Sequence, residues 1–357
     1  MRLNLRTEIK PDACLQAVFI ACLFIFLFSG SNVASAAGAN PVIKMEYFGA
    51  NWKQKPWMER LERAPDKLLE YLAYQNKLDG FSEVPSAVEP VPEIADVFKE
   101  ISFSLSPALR KLLEERLIGV FCVKDLGSSG FTEEVVDEVK GRSYAVIVLD
   151  RDVLLKRKAN DWATWKENSI FLPAQKNGFR LQMIIESEKN NTVHNAMRYL
   201  LLHELGHTLG MISNVHPSWI PADKTVSLDY PFVRLSWRLD AEGKPVSLFD
   251  ELFPERKKIK YYAFAQAQLT NDQVPDAYAQ LQFTNFVSMQ AAANIWEDFA
   301  ESFVTYVHVL RGKQPWQLRI ESENNPPAVV DSCWQEKRCA EKKYFLDKWF
   351  DNPCPES

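Results

Sequence analysis

The chain has 357 residues, 46% of them hydrophobic and 25% charged, which excludes a disordered tail, a collagen-like repeat and a coiled-coil rod. At roughly 100–200 residues per domain, this length accommodates one large domain or two smaller ones. Lys and Arg number 42 against 47 Asp and Glu, a formal net charge of −5. With no long basic stripe, nothing electrostatic points to nucleic acid.

Residues 1–36 read as a secretory signal peptide. Arg2, Arg6 and Lys10 precede an apolar run from Leu15 to Phe28, and small residues at Ala34 and Ala36 form a cleavage site. The run is shorter than the ~18–20 residues of a spanning helix, and no later stretch is long and apolar enough to span. An exported chain, periplasmic or extracellular, is therefore expected. Cleavage removes Cys14 and Cys22 and leaves Cys122, Cys333, Cys339 and Cys354, an even count that favours disulfides. Three pairings are open; a local Cys333–Cys339 loop with Cys122–Cys354 is preferred, and a zinc ribbon is disfavoured because no C-x-x-C pair exists.

Residues 37–92 form an N-terminal segment. Trp57, Leu61, Leu68, Leu69 and Leu72 recur at helical spacing over 40–80, broken at Pro65. The proline-rich stretch Glu83–Glu93 reads as a linker or surface strap. Residues 93–357 form the main domain. Ser106-Pro107 opens a helix with a cap and a first-turn proline. Strands are expected at Leu117–Val123, Tyr144–Leu149 and Phe179–Glu186. From Asn191 the chain is mostly helical, apart from a loop-like stretch over Ser213–Lys257. Strands first and helices later is an α+β pattern.

Five His occur, and two of them carry the argument. Val193–Met211 has helical spacing, with Asn191 or Thr192 able to cap its start and Gly210 to end it. Within it, His203-Glu204-Leu205-Gly206-His207 is an H-E-x-x-H pattern. Residues four apart leave one helix face, so His203 and His207 can grip one Zn²⁺ while Glu204 reaches a water. A third protein ligand is needed. In H-E-x-x-H-x-x-G-x-x-H proteins it is a later His; here Gly210 fits, but that position is Ser213 and His216 comes three residues too late. Met289 could imitate the methionine turn of that class. The favoured reading takes Glu297 as the ligand, with Glu301 one turn on accepting a hydrogen bond from a ligand His.

HELGH followed by Glu297-Asp-Phe-Ala-Glu301 resembles the gluzincin metallopeptidases, and the E-x-F-A-E-x-F form is similar to the catalytic domain of anthrax lethal factor. The resemblance covers two short motifs and their helices. It implies a zincin-like fold, with a mixed sheet above an active-site helix and a mainly helical C-terminal lobe. It implies one Zn²⁺ held by His203, His207 and Glu297, Glu204 as general base, and a protein or peptide substrate. The chain departs from lethal factor at Gln290, where that domain has a tyrosine, so the group polarising the substrate carbonyl is open. Tyr306 and His216 are candidates for it, as are Tyr261, Tyr262 and His308. Phe179–Glu186 is a candidate edge strand for an extended peptide, an interior strand being the equal alternative. The competing readings are a zinc-site scaffold that no longer cleaves, a peptidase using His216 as third ligand, and an intramembrane protease, which the short apolar run beside Arg198 disfavours.

Overall fold

The apolar runs Leu117–Lys124 and Arg142–Asp150 pair in parallel at the centre of a mixed sheet. The computed structural model describes residues 43–49, 51–78, 82–137, 142–218, 227–263, 266–323 and 325–353. The signal-peptide reading lies outside them. In chain order, the first half contains β1 (Leu61–Arg63), α1 (Asp66–Leu78), β2 (Ser86–Ala87), α2 (Pro92–Ser104), α3 (Pro107–Arg116), β3 (Leu117–Lys124), β4 (Gly130–Asp137) and β5 (Arg142–Asp150). There follow α4 (Arg151–Leu154), α5 (Ala159–Asn168), β6 (Arg180–Ile184), α6 (Val193–Ile212), β7 (Trp237–Leu239), β8 (Pro245–Ser247), α7 (Val274–Leu281) and α8 (Ile295–Thr305). A π-helical turn (Tyr306–Arg311), β9 (Gln317–Glu321), β10 (Ala328–Asp331) and α9 (Ala340–Trp349) complete the chain. The fold is α+β, with a mixed sheet and a helical C-terminal region.

The main sheet runs β1-β3-β5-β4, and β2 also pairs with β3. β1 and β5 are parallel to β3, whereas β4 is antiparallel to β5 and ends the order. Side chains alternate across the central strands. Ala145, Ile147 and Leu149 enter the large core with α2, α3 and α6; Tyr144, Val146 and Val148 enter a second core with Ile43, Trp52, Leu68 and Leu72. The N-terminal segment is thus less helical than its spacing predicts. Met45–Glu59 holds three short 3-10 turns, and Leu61–Arg63 is a strand of the main sheet. The proline-rich strap pairs with β3 through Ser86 and Ala87 before Pro92 opens α2.

Ser106 caps α3 by accepting Leu109 N at 3.2 Å, and Thr192 caps α6 through Asn195 N at 3.2 Å. Gly210 does not end α6, which continues to Ile212. Its lack of a side chain serves packing instead: a Cβ there would lie 2.5 Å from His216 Nε2 and 2.6 Å from Phe299 Cδ1. At Gly206 a Cβ would lie 2.9 Å from Ala300 Cα. The two glycines let α8 cross α6 at close range.

β6, within the Phe179–Glu186 run, belongs to a separate antiparallel sheet ordered β10-β9-β6. Cys333 and Cys339 form the expected disulfide. Cys122 is a free thiol buried in β3, its pKa pushed up to about 12 by burial, and Cys354 lies outside the described residues. Among the described residues, no helix is long and apolar enough to cross a membrane.

Candidate metal centre

α6 and α8 bring three side chains from distant parts of the chain to one point. His203 Nε2 lies 3.1 Å from His207 Nε2, and Glu297 Oε2 lies 3.5 Å and 3.7 Å from those two nitrogens. Ligands held at about 2.0–2.1 Å around a tetrahedral ion lie roughly 3.3–3.4 Å from one another, so this spacing fits a zinc site with two nitrogens and one oxygen. All three ligand atoms lie within 4.8 Å of one another. Asn294 caps α8 by accepting Trp296 N and Glu297 N at 3.1 and 2.9 Å, which fixes the first turn, where the carboxylate starts.

The surrounding groups orient these candidate ligands. Glu301 Oε1 lies 3.0 Å from His203 Nδ1, leaving Nε2 to face the cluster. Lys166 of α5 reaches the same Glu301 oxygen at 3.1 Å, and Ser288 donates to the other at 2.7 Å. Burial opposes the charge on Glu301, yet Lys166 and the His203 bond hold its carboxyl well below the usual range. For His203, burial works against the imidazolium, but the Glu301 bond and nearby carboxylates outweigh it and raise the pKa. His207 is driven well below its ordinary value by burial and by His203 beside it, which favours the neutral imidazole that metal ligation requires. Burial raises Glu297.

Glu204 lines the same cleft as the cluster. The Thr132 hydroxyl of β4 lies 3.0 Å from Glu204 Oε2 and 2.9 Å from its backbone carbonyl oxygen. Burial lifts the Glu204 carboxyl to about 7, a range in which a carboxylate exchanges protons at neutral pH. The cleft is about 260 Å³, is lined by Gly130–Glu133 on β4 and by His203, Glu204, His207 and Glu297, and also admits Tyr262 and Lys166.

Of the sequence candidates, His203, Glu204, His207, Glu297 and Glu301 come together. His216 does not join the ligand group: it is buried against Gly210 and Phe299, with Nδ1 3.0 Å from Pro217 O. Met289 is fully buried in the core. Tyr306 is turned away, donating to Asp347 of α9 at 2.8 Å. Tyr261 also lines the cleft, but its hydroxyl donates to Glu167 at 3.1 Å; His308 Nε2 contacts Ile185 O at 2.6 Å. The remaining candidate, Tyr262, lines the cleft with its hydroxyl beside Ser129 and within electrostatic range of Glu204 and Glu297. Its backbone is left-handed, φ 56°, a strained conformation for tyrosine that the surroundings must hold. The strand over the site is β4, not the Phe179–Glu186 run. Lys166, Thr132 and Ser288 have no sequence motif that announces them. Comparison with protein families, with characterised proteins and with solved structures gives no match.

Proposed function

We propose that this chain is an exported zinc-dependent endopeptidase acting on protein or peptide substrates. The observation that carries the reading is the convergence of His203, His207 and Glu297 beside a cleft that also holds Glu204. A zinc ion at this donor set supplies Lewis acidity, which acidifies a water and polarises the scissile carbonyl.

The protein's own groups do the rest. Glu204 takes the proton of the attacking water and delivers it to the departing amine. Thr132 steadies the Glu204 carboxylate while it is charged. Tyr262 is the donor suited to the oxygen of the tetrahedral intermediate: burial keeps its phenol protonated far above neutral pH, and it stands in the cleft. Because Gly130–Glu133 line the cleft and β4 is the last strand of the sheet, an extended substrate running alongside β4 would present its backbone to the centre. The experiment is Glu204→Gln in the mature chain. Zinc should stay near about one per chain while hydrolysis of a peptide library falls by a factor of about 10²–10⁴. Unchanged hydrolysis would reject this mechanism, and absence of hydrolysis in the parent would leave the scaffold reading.

A further inference from the structure

Both carboxylates that α8 contributes to the candidate centre, Glu297 and Glu301, are gripped by the loop that precedes it. Ser288 Oγ donates to Glu301 Oε2 at 2.7 Å, and Gln290 Nε2 donates to Glu297 Oε2 at 2.9 Å. The pairing is reversed in order: the earlier loop residue meets the later glutamate. The distances along the chain match, since four residues of helix rise ~6 Å and two residues of chain span at most ~7 Å. The loop therefore lies back along α8 with its two donors in register with two successive turns. Both donors are buried, Ser288 at 3% and Gln290 at 5% exposure. Ser288 Oγ also accepts Ala291 N at 3.1 Å, which leaves its hydrogen for Glu301. The loop closes on α8 through Asn294, the cap that accepts Glu297 N.

The chemistry of the two donors is selective. Both are neutral, so they orient a carboxylate without cancelling the charge a cation requires. The oxygen that Gln290 contacts is the one nearest both imidazole nitrogens. One hydrogen bond on that oxygen occupies one lone-pair direction and leaves the other toward the histidines.

We infer that Ser288 and Gln290 act as a two-point clamp that presets the Glu297 and Glu301 carboxylates for metal capture. The inference rests on the zinc reading above. Ser288 and Gln290 are positioning residues, acting through Glu301 and Glu297 rather than on substrate.

The test measures zinc affinity by competition with a chelator, in the full mature chain, for Ser288→Ala, Gln290→Met and Gln290→Glu. The first two should each weaken zinc by about 10–100-fold, while the chelator-treated chain still unfolds cooperatively, its melting temperature lowered by the loss of one buried side chain's hydrogen bonds. Gln290→Glu should weaken zinc further than Gln290→Met, because it sets a like charge against Glu297. At saturating zinc, KM for a cleaved peptide should stay parental in Ser288→Ala and Gln290→Met, with any loss appearing in kcat. Zinc affinities within about twofold of the parent in both variants would overturn the clamp. A parental zinc affinity with a raised KM in Gln290→Met would overturn it too, by making Gln290 a substrate contact. Failure of the functional reading looks different: a parent that takes up no zinc overturns both ideas before any variant is made. Hydrolysis that survives Glu204→Gln, with zinc still weakened in Ser288→Ala and Gln290→Met, removes the mechanism and leaves the clamp.

Discussion

Thr132 of the outermost strand and Glu204 of α6 are joined at 3.0 Å, which ties the sheet directly to the group assigned as general base. A hydroxyl that donates to a carboxylate favours its charged form. Thr132→Val removes that donor and keeps the shape. The acid limb of kcat/KM should therefore move to higher pH, by about half to one unit. A pH–rate profile of the two proteins checks this, and superimposable acid limbs would separate Thr132 from the chemistry.

The choice of third ligand has a direct test. Glu297→Ala should reduce bound zinc from about one per chain to background, measured by metal analysis after dialysis. His216→Ala should retain it, since that ring faces Gly210 and Phe299 rather than the ligand cluster. The opposite pattern would make His216 the ligand.

Tyr262→Phe removes one hydroxyl from the cleft and leaves the ring in place. If this phenol stabilises the tetrahedral oxygen, kcat should fall about 10²–10³-fold, with zinc content unchanged. Tyr306→Phe, which removes a hydroxyl engaged with Asp347 and Arg311 away from the cleft, should leave kcat near the parental value.

Asp298 and Lys342 form a fully buried ion pair between α8 and α9, supported by Trp237 Nε1 donating to Asp298 at 3.0 Å. Lys342→Met strands a buried carboxylate and should cost about 3–5 kcal/mol in urea unfolding. Pairing it with Asp298→Asn should recover part of that loss.

Acid should destabilise the fold through two histidines outside the cleft. Burial lowers His216 and His308 to about 4 each. The unfolded chain takes up protons at these positions from about pH 6.5 downward, and the native chain does so only near 4. Stability is therefore full above pH 6.5, declines as pH falls toward 4, and levels off below it. The loss approaches roughly 3 kcal/mol per histidine. His308→Gln should flatten the dependence of Tm on pH over this window; an unchanged slope would exclude it as a source.

The spacing of four in His203/His207 and in Glu297/Glu301 was readable without a structure, because an α-helix puts such residues on one face. The central strands Leu117–Lys124 and Arg142–Asp150 were equally legible as apolar runs. β4 was not: Thr132, Glu133 and Glu134 make it polar in composition, whereas the Phe179–Glu186 run that contains β6 is the more apolar of the two. Gly210 looked like a helix end, since only the fold reveals His216 and Phe299 pressing on it. Tyr262 was one tyrosine among several until a left-handed backbone in a loop turned it into the cleft. Lys166 and Ser288 reach Glu301 from 135 and 13 residues away, a kind of proximity that no local pattern encodes.

The dependence of Asp298 on Lys342 has a consequence for how the centre matures. Asp298 directly follows Glu297, the proposed ligand, and its countercharge is supplied by Lys342 of α9, 44 residues further along the chain. A nascent chain halted after residue 331 already contains both motifs, yet it holds that acid without its cation. On the zinc reading, metal capture should therefore lag the appearance of the histidines during biogenesis and follow the docking of α9.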